Sequence, residues 1–131
     1  MRLLLDTHIL LWRLAGSNKL SASAIELMDK QADEVLASTV SIWEVAIKWS
    51  LRKGLPDDMP ISGKDFAVAL EEAGVTVLPI QPAHAAALDN LELHHRDPFD
   101  RLLVATAHHE GLILLTQDAR LADYGKAVRV I

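Results

Sequence analysis

Four carboxylates stand where apolar runs meet helix or turn signals. Asp6 closes "RLLL", Glu44 lies in "STVSIWE" after the run "EVLAS", Asp100 lies in "HRDPFDR", and Asp118 follows "LILLT" in "LLTQD". Each has an ordinary explanation. Asp6 and Asp118 can cap helices, and "SIWE" has the capping-box spacing, with Ser41 as the cap. Glu44 and Lys48 have the i,i+4 spacing of a helical ion pair. Asp97 and Pro98 form a helix start, with Asp100 in the first turn where it offsets the dipole. What these explanations leave out is the apolar setting. Asp100 shares a helix face with Leu103, Val104 and Ala107, and around Glu44 only Ser41, Glu44, Lys48 and Arg52 form a thin polar stripe. Carboxylates beside buried surface are costly unless paired or bound to metal. Converging carboxylates also repel one another, which raises their pKa values or recruits a cation. A hard divalent ion resolves both problems, and Mg²⁺ or Mn²⁺ on three or four carboxylates suits phosphodiester hydrolysis without a covalent nucleophile. Zinc is disfavoured, because the chain has no cysteine and no histidine pair at a zinc-motif spacing.

The elements that must position these acids alternate along the chain. Strands are expected at "RLLL", at Glu34 to Ser38, within "VTVLPI", at "LILLT" and at "AVRVI". Helices are expected over Thr7 to Ala15, Ser21 to Gln31 and Thr39 to about Lys53, with another from about Lys64 to Ala73. Pro82 to Asn90 and Pro98 to Glu110 should also be helical, and a short turn of helix should follow Asp118 through Tyr124. Strands separated by helices predict a mostly parallel sheet of four to five strands covered on both faces. Ligand sites of such sheets form beyond the carboxyl ends of the strands, and all four acids fall at that edge.

The 131 residues fit one domain, residues 1–131, with no internal repeat and no linker long enough to divide it. The absence of cysteine suits a reducing compartment. The opening "MRLLLDTHILLW" mimics a signal peptide only until Asp6 and His8 interrupt it, and no stretch approaches the length of a membrane span. A cytoplasmic location is therefore expected. The net charge of −5 is not the usual footprint of a nucleic-acid binder, although carboxylates neutralised by metal lower the formal count without repelling a polyanion.

Taken together, "LLLDTHILLW", "STVSIWEVAIK", "HRDPFDRLLVATA" and "LLTQD" resemble, in order and spacing, the motifs of the PIN-domain nucleases, in particular the VapC-type toxins of bacterial toxin–antitoxin pairs. The resemblance places the site acids at Asp6, Glu44, Asp100 and Asp118 and adds the hydroxyls of Thr7 and Thr116. It implies a three-layer α/β/α sandwich, dependence on Mg²⁺ or Mn²⁺ and endonuclease action on RNA. It also implies a homodimer and a VapB-type antitoxin that lays its C-terminal segment over the cleft. Asp97 is assigned to capping, with a supporting place beside the site. Lys48, Arg52, Lys53, Arg96 and Arg101, on or near the segments bearing Glu44 and Asp100, are candidate phosphate contacts.

The pairs His94-His95 and His108-His109 are assigned to polar surface, since adjacent side chains on a helix point apart. Trp12, Trp43 and Trp49, at apolar helical spacing, are expected in the core or at a dimer contact. Two alternatives compete with the nuclease. One is a catalytically silent RNA- or protein-binding module of the same fold. The other is an aspartate-nucleophile phosphatase built on Asp6, which would want a second acid where His8 stands.

Overall fold

The computed structural model describes residues 1–131. Five parallel strands form one sheet: β1 (Arg2–Leu5), β2 (Glu34–Ser38), β3 (Thr76–Leu78), β4 (Ile113–Thr116) and β5 (Val128–Val130), in the order β3-β2-β1-β4-β5. Each strand reads as a continuous apolar run because both of its faces are covered. Leu3 and Leu5 point into one core, with Ile9, Leu10, Met28, Val45, Phe66 and Leu70. Leu4 points into the other, with Leu36, Leu103, Val104, Leu114 and Leu121. This period-2 partition of an all-apolar strand is the mark of a sheet between two helical layers. The expected sandwich, with five strands, is observed.

The helices are α1 (Thr7–Ala15), α2 (Ala22–Glu26, prolonged by a π turn over Leu27–Gln31), α3 (Thr39–Ser50), α4 (Gly63–Glu72), α5 (Pro82–Ala86, prolonged by a 3-10 turn over Ala87–Asn90) and α6 (Pro98–Glu110). A final 3-10 helix spans Ala119–Tyr124. No helix is long and apolar enough to cross a membrane. Two local expectations are corrected. Helix α3 begins at Thr39 because the side chain of Ser38 accepts from Val40 N and caps it, so Ser41 is no cap and lies buried inside the helix. The same helix stops at Ser50 rather than Lys53, with Leu51 already outside helical geometry.

The order of the strands decides where the site can lie. After β3 the chain returns to the opposite side of β1, so β1 and β4 flank the point at which the winding reverses. Beyond their carboxyl ends the helices diverge and leave a crevice. Helix α3 is held at this edge partly by α4, whose first residue is Gly63. A Cβ built there would lie 2.7 Å from Ala46 Cβ and 3.1 Å from Ala46 Cα, so only glycine permits this approach. Gly63→Ala should therefore destabilise the fold by about 1–3 kcal/mol despite alanine's better helix propensity. A partial recovery of Tm when Ala46→Gly is added, followed by thermal unfolding, checks that the clash is the cause.

Candidate metal centre

Asp6 follows β1 and caps α1. Its Oδ1 accepts from His8 N at 2.8 Å, and its Oδ2 accepts from Thr116 Oγ1, at the end of β4, at 2.6 Å. The pairing of β1 with β4 thus brings together residues that are 110 positions apart. Glu44 enters from the second turn of α3. Thr7 Oγ1 donates to its Oε1 at 2.8 Å and lies 2.9 Å from Ser41 Oγ, and Lys48 Nζ donates to Oε2 at 2.6 Å. Both carboxylates are buried, Asp6 at 5% and Glu44 at 4% exposure. The hydroxyls of Thr7 and Thr116 therefore each hydrogen-bond one of the two buried acids.

Asp97 caps α6, its Oδ1 accepting from Phe99 N at 2.9 Å and Asp100 N at 3.1 Å. This start turns Asp100 toward the crevice, while Leu103, Val104 and Ala107 on the same helix go into the core. Asp118 caps the final 3-10 helix, and its amide donates to Thr116 Oγ1 at 3.0 Å. A cavity of about 380 Å³ is lined by Asp6, Thr7, Glu44, Asp97, Asp100 and Asp118, together with His8, Lys48, Gln117, Ala119 and Arg120. The structure brings all four expected acids to one cavity.

The electrostatics follow from the crowding. Burial, against the opposing hydrogen bonds from Thr116 and His8, pushes the Asp6 carboxyl above its ordinary value, and the charge of Glu44 adds to this. Asp100 is raised to about 6, first by burial and then by the negative charges of Asp97, Asp6 and Glu44, with the His95 hydrogen bond opposing. Asp118 is lowered by its hydrogen bonds with Arg120. Each oxygen of Asp6 accepts one hydrogen bond and keeps a lone pair, whereas each oxygen of Asp118 accepts two from Arg120. Asp6, Glu44, Asp100 and Asp118 offer carboxylate oxygens, the donors that a hard divalent ion takes, and ligand-type atoms of Asp100 and Asp118 lie within 4.8 Å of one another and of His95.

Three other expectations change. His95, assigned above to polar surface, has its Nε2 at 2.9 Å from Asp100 Oδ2 and 3.8 Å from Asp118 Oδ2. It reaches them because Tyr124 Oη accepts from both His94 N and His95 N and folds the loop back over the site. The ligand-type atoms of His95, Asp100 and Asp118 lie within 4.8 Å of one another. Of the basic residues proposed as phosphate contacts, only Lys48 lines the cavity. Arg101 Nη2 donates to Leu91 O at 3.1 Å, and Arg52 lies over the Trp49 ring at 3.8 Å and bonds Trp49 O. Arg96 and Lys53 are exposed outside the cavity. The cation that sequence reasoning missed is Arg120, for which no local signal existed beyond its place two residues after Asp118. Of the two places expected for Trp43, the core is excluded: it is 56% exposed and stands edge-on to Phe99, as a residue at a dimer contact would be in a single chain.

A second group of ligand-type atoms, on His84, His109 and Glu110, lies at the far end of α6. Its chemistry differs. His84 Nδ1 accepts the Gln81 amide at 3.1 Å, so the neutral ring carries its proton on Nε2, which faces Glu110 Oε1 at 2.6 Å. Neither ring nitrogen has a lone pair left for an ion. The pair instead ties α5 to the end of α6 and holds Glu110 below the usual carboxylate range.

The parallel sheet with an acidic crevice at its switch point defines a class that comparison identifies. A family profile described as PIN domain matches residues 3–127, and the chain belongs to the PIN domain family. Within it, the chain is similar to Ribonuclease VapC22 of Mycobacterium tuberculosis (strain ATCC 25618 / H37Rv), 31% identical over 122 residues that cover 92% of this chain and 90% of the relative. Among solved structures it is similar to a chain of VapBC2 from Rickettsia felis bound to a promoter DNA fragment, with a TM-score of 0.67 at 15% identity, covering 100% of this chain and 98% of that one. It is also similar to a chain of FitAcB from Neisseria gonorrhoeae, with a TM-score of 0.62 at 20% identity, covering 96% and 95%. At these identities the structural likeness establishes the fold.

The raised Asp100 has a signed consequence. Its carboxyl titrates near 3.8 when unfolded and near 6 when folded, so the metal-free fold loses stability as pH rises between those values. Asp100→Asn should raise the Tm of metal-free protein at pH 7.5 by a few degrees, on the order of 1 kcal/mol after solvent screening. The advantage should shrink as pH falls toward 4. Added Mg²⁺ or Mn²⁺ should stabilise the wild type and do so less in the variant, as thermal unfolding with and without the ion will measure.

Proposed function

We propose that the protein is a divalent-metal-dependent endoribonuclease, acting as the toxin of a toxin–antitoxin pair. The observation that carries this reading is the convergence of buried Asp6 and Glu44 with Asp100 and Asp118 at the switch point of the sheet. The 31% identical relative is named a ribonuclease, and the chain shares nearly its full length. Asp6, Glu44, Asp100 and Asp118 would hold the metal, Mg²⁺ or Mn²⁺ by the hardness of their oxygens. A hard divalent ion in such a site supplies water activation and neutralises charge on the phosphate.

The chain's own residues prepare the site. Thr116 and Thr7 fix the rotamers of Asp6 and Glu44 through hydrogen bonds of 2.6 and 2.8 Å. Asp97 holds the first turn of α6, and with it the position of Asp100. Lys48, at the rim, offsets Glu44 and offers a positive charge to the RNA backbone. Solved structures with this fold include VapBC toxin–antitoxin complexes, and on that likeness the protein would work with a VapB-type antitoxin laid over the cleft; the homodimer follows from the motif resemblance to VapC-type toxins.

The competing readings fit less well. A silent binding module would gain stability by replacing buried carboxylates with apolar residues of similar volume. An aspartate-nucleophile phosphatase needs an acid two residues after Asp6, where His8 stands. With labelled single-stranded RNA and Mg²⁺ or Mn²⁺, internal cleavage is expected, abolished by EDTA and reduced at least a hundredfold in Asp6→Ala and Asp100→Ala. Release of inorganic phosphate alone would establish the phosphatase instead, and RNA binding without turnover would establish the silent module.

A further inference from the structure

Arg120 stands in the acidic cavity with no partner but Asp118. Its Nε lies 3.0 Å from Asp118 Oδ1 and 3.2 Å from Oδ2, its Nη2 lies 2.8 Å from Oδ2, and its backbone amide donates to Oδ1 at 3.0 Å. Both oxygens of one expected metal ligand are thereby engaged by a side chain that is 71% exposed. We propose that Arg120 exchanges partners: it neutralises Asp118 while no ion is bound, and once an ion draws on Asp118 its guanidinium becomes a contact for the phosphate of the nucleic-acid strand entering the cavity. The second half of this proposal rests on the RNA-hydrolase reading above.

Three features favour exchange over a fixed structural ion pair. Exposed pairs contribute little to stability, so the fold gives up little when this one opens. One oxygen of Asp118 lies within 4.8 Å of ligand atoms on Asp100 and His95, so an ion between these groups competes directly with the guanidinium. The released side chain stays at the cavity wall, because Arg120 is anchored in the 3-10 helix that Asp118 caps. A guanidinium matches a phosphate through two parallel hydrogen bonds, as it does a carboxylate. Lys48, the other cation at the cavity, pairs with Glu44 at 2.6 Å on the opposite side of it from Asp118's helix, so the two cations offer separate charges to a strand.

The test uses the full chain and two measurements. In the first, Mn²⁺ binding is followed by calorimetry without RNA. Arg120→Ala should tighten it about three- to tenfold, because Asp118 is no longer contested. In the second, binding of a short fluorescent single-stranded RNA is followed by anisotropy in Ca²⁺, with a gel to verify that the RNA stays intact. Arg120→Ala should weaken it about three- to tenfold and reduce the slope of log Kd against log salt by about 0.7, the value for one phosphate contact on a single strand. Arg120→Lys should keep the slope while recovering only part of the affinity. Unchanged Mn²⁺ affinity in Arg120→Ala would overturn the competition for Asp118, and an unchanged salt slope would overturn the phosphate contact. A wild-type protein that binds Mn²⁺ but no RNA would overturn the hydrolase reading and the phosphate contact together, and the Mn²⁺ measurement would still decide the competition.

Discussion

Asp6 is a carboxylate held at the end of the central strand with almost no access to water, and its burial constrains everything placed around it. In that position it needs hydrogen bonds to both oxygens, and β4 supplies one through Thr116 while the start of α1 supplies the other. The bond to Thr116 exists only because β4 lies next to β1 and not further out in the sheet. The reversal of winding that puts β4 there also opens the crevice into which Glu44, Asp100 and Asp118 project. Site and topology are consequences of one another.

The acids are tolerated because three of them sit at helix starts. Asp6 and Asp118 are caps, and Asp100 lies in the first turn of a helix capped by Asp97. Unpaired backbone amides and the positive end of the dipole favour negative charge there. Capping and ion binding are therefore compatible roles, since a carboxylate oxygen that accepts an amide proton still has a lone pair directed outward. Glu44 is the exception. It lies in the body of α3 and relies on Thr7 and Lys48 instead.

The apolar part of the molecule serves the same end. Two separate cores, one on each face of the sheet, hold the strands in register and fix the helices that carry the acids. Gly63 allows α4 to approach α3 closely, and the His84–Glu110 bond ties α5 to α6 far from the crevice. Solved structures at only 15–20% identity share this fold along nearly their whole length. What persists is the path of the backbone to the crevice, which many apolar residues can satisfy.

Much of this was legible before any coordinates. Continuous apolar runs mark β1, β2 and β4, the Asp97-Pro98 step marks the start of α6, and Asp6, Asp100 and Asp118 stand at a strand end or helix start because those are local signals. The sequence by itself determined the elements, the layering and the four acids that belong to one edge. Side-chain encounters between distant segments were not legible. The spacing of Ser41 from Glu44 fits a capping box, yet the helix begins at Thr39, where Ser38 accepts from Val40 N. Adjacent histidines diverge on a helix, yet His95 lies in a loop that Tyr124 holds over the site. Arg101 stood beside Asp100 in sequence but turned to Leu91, while Arg120 arrived at the cavity from another segment. Tertiary structure alone decided these, because local propensity sets the path of the backbone, whereas the neighbours of a side chain depend on which strands lie side by side and where a returning loop is held.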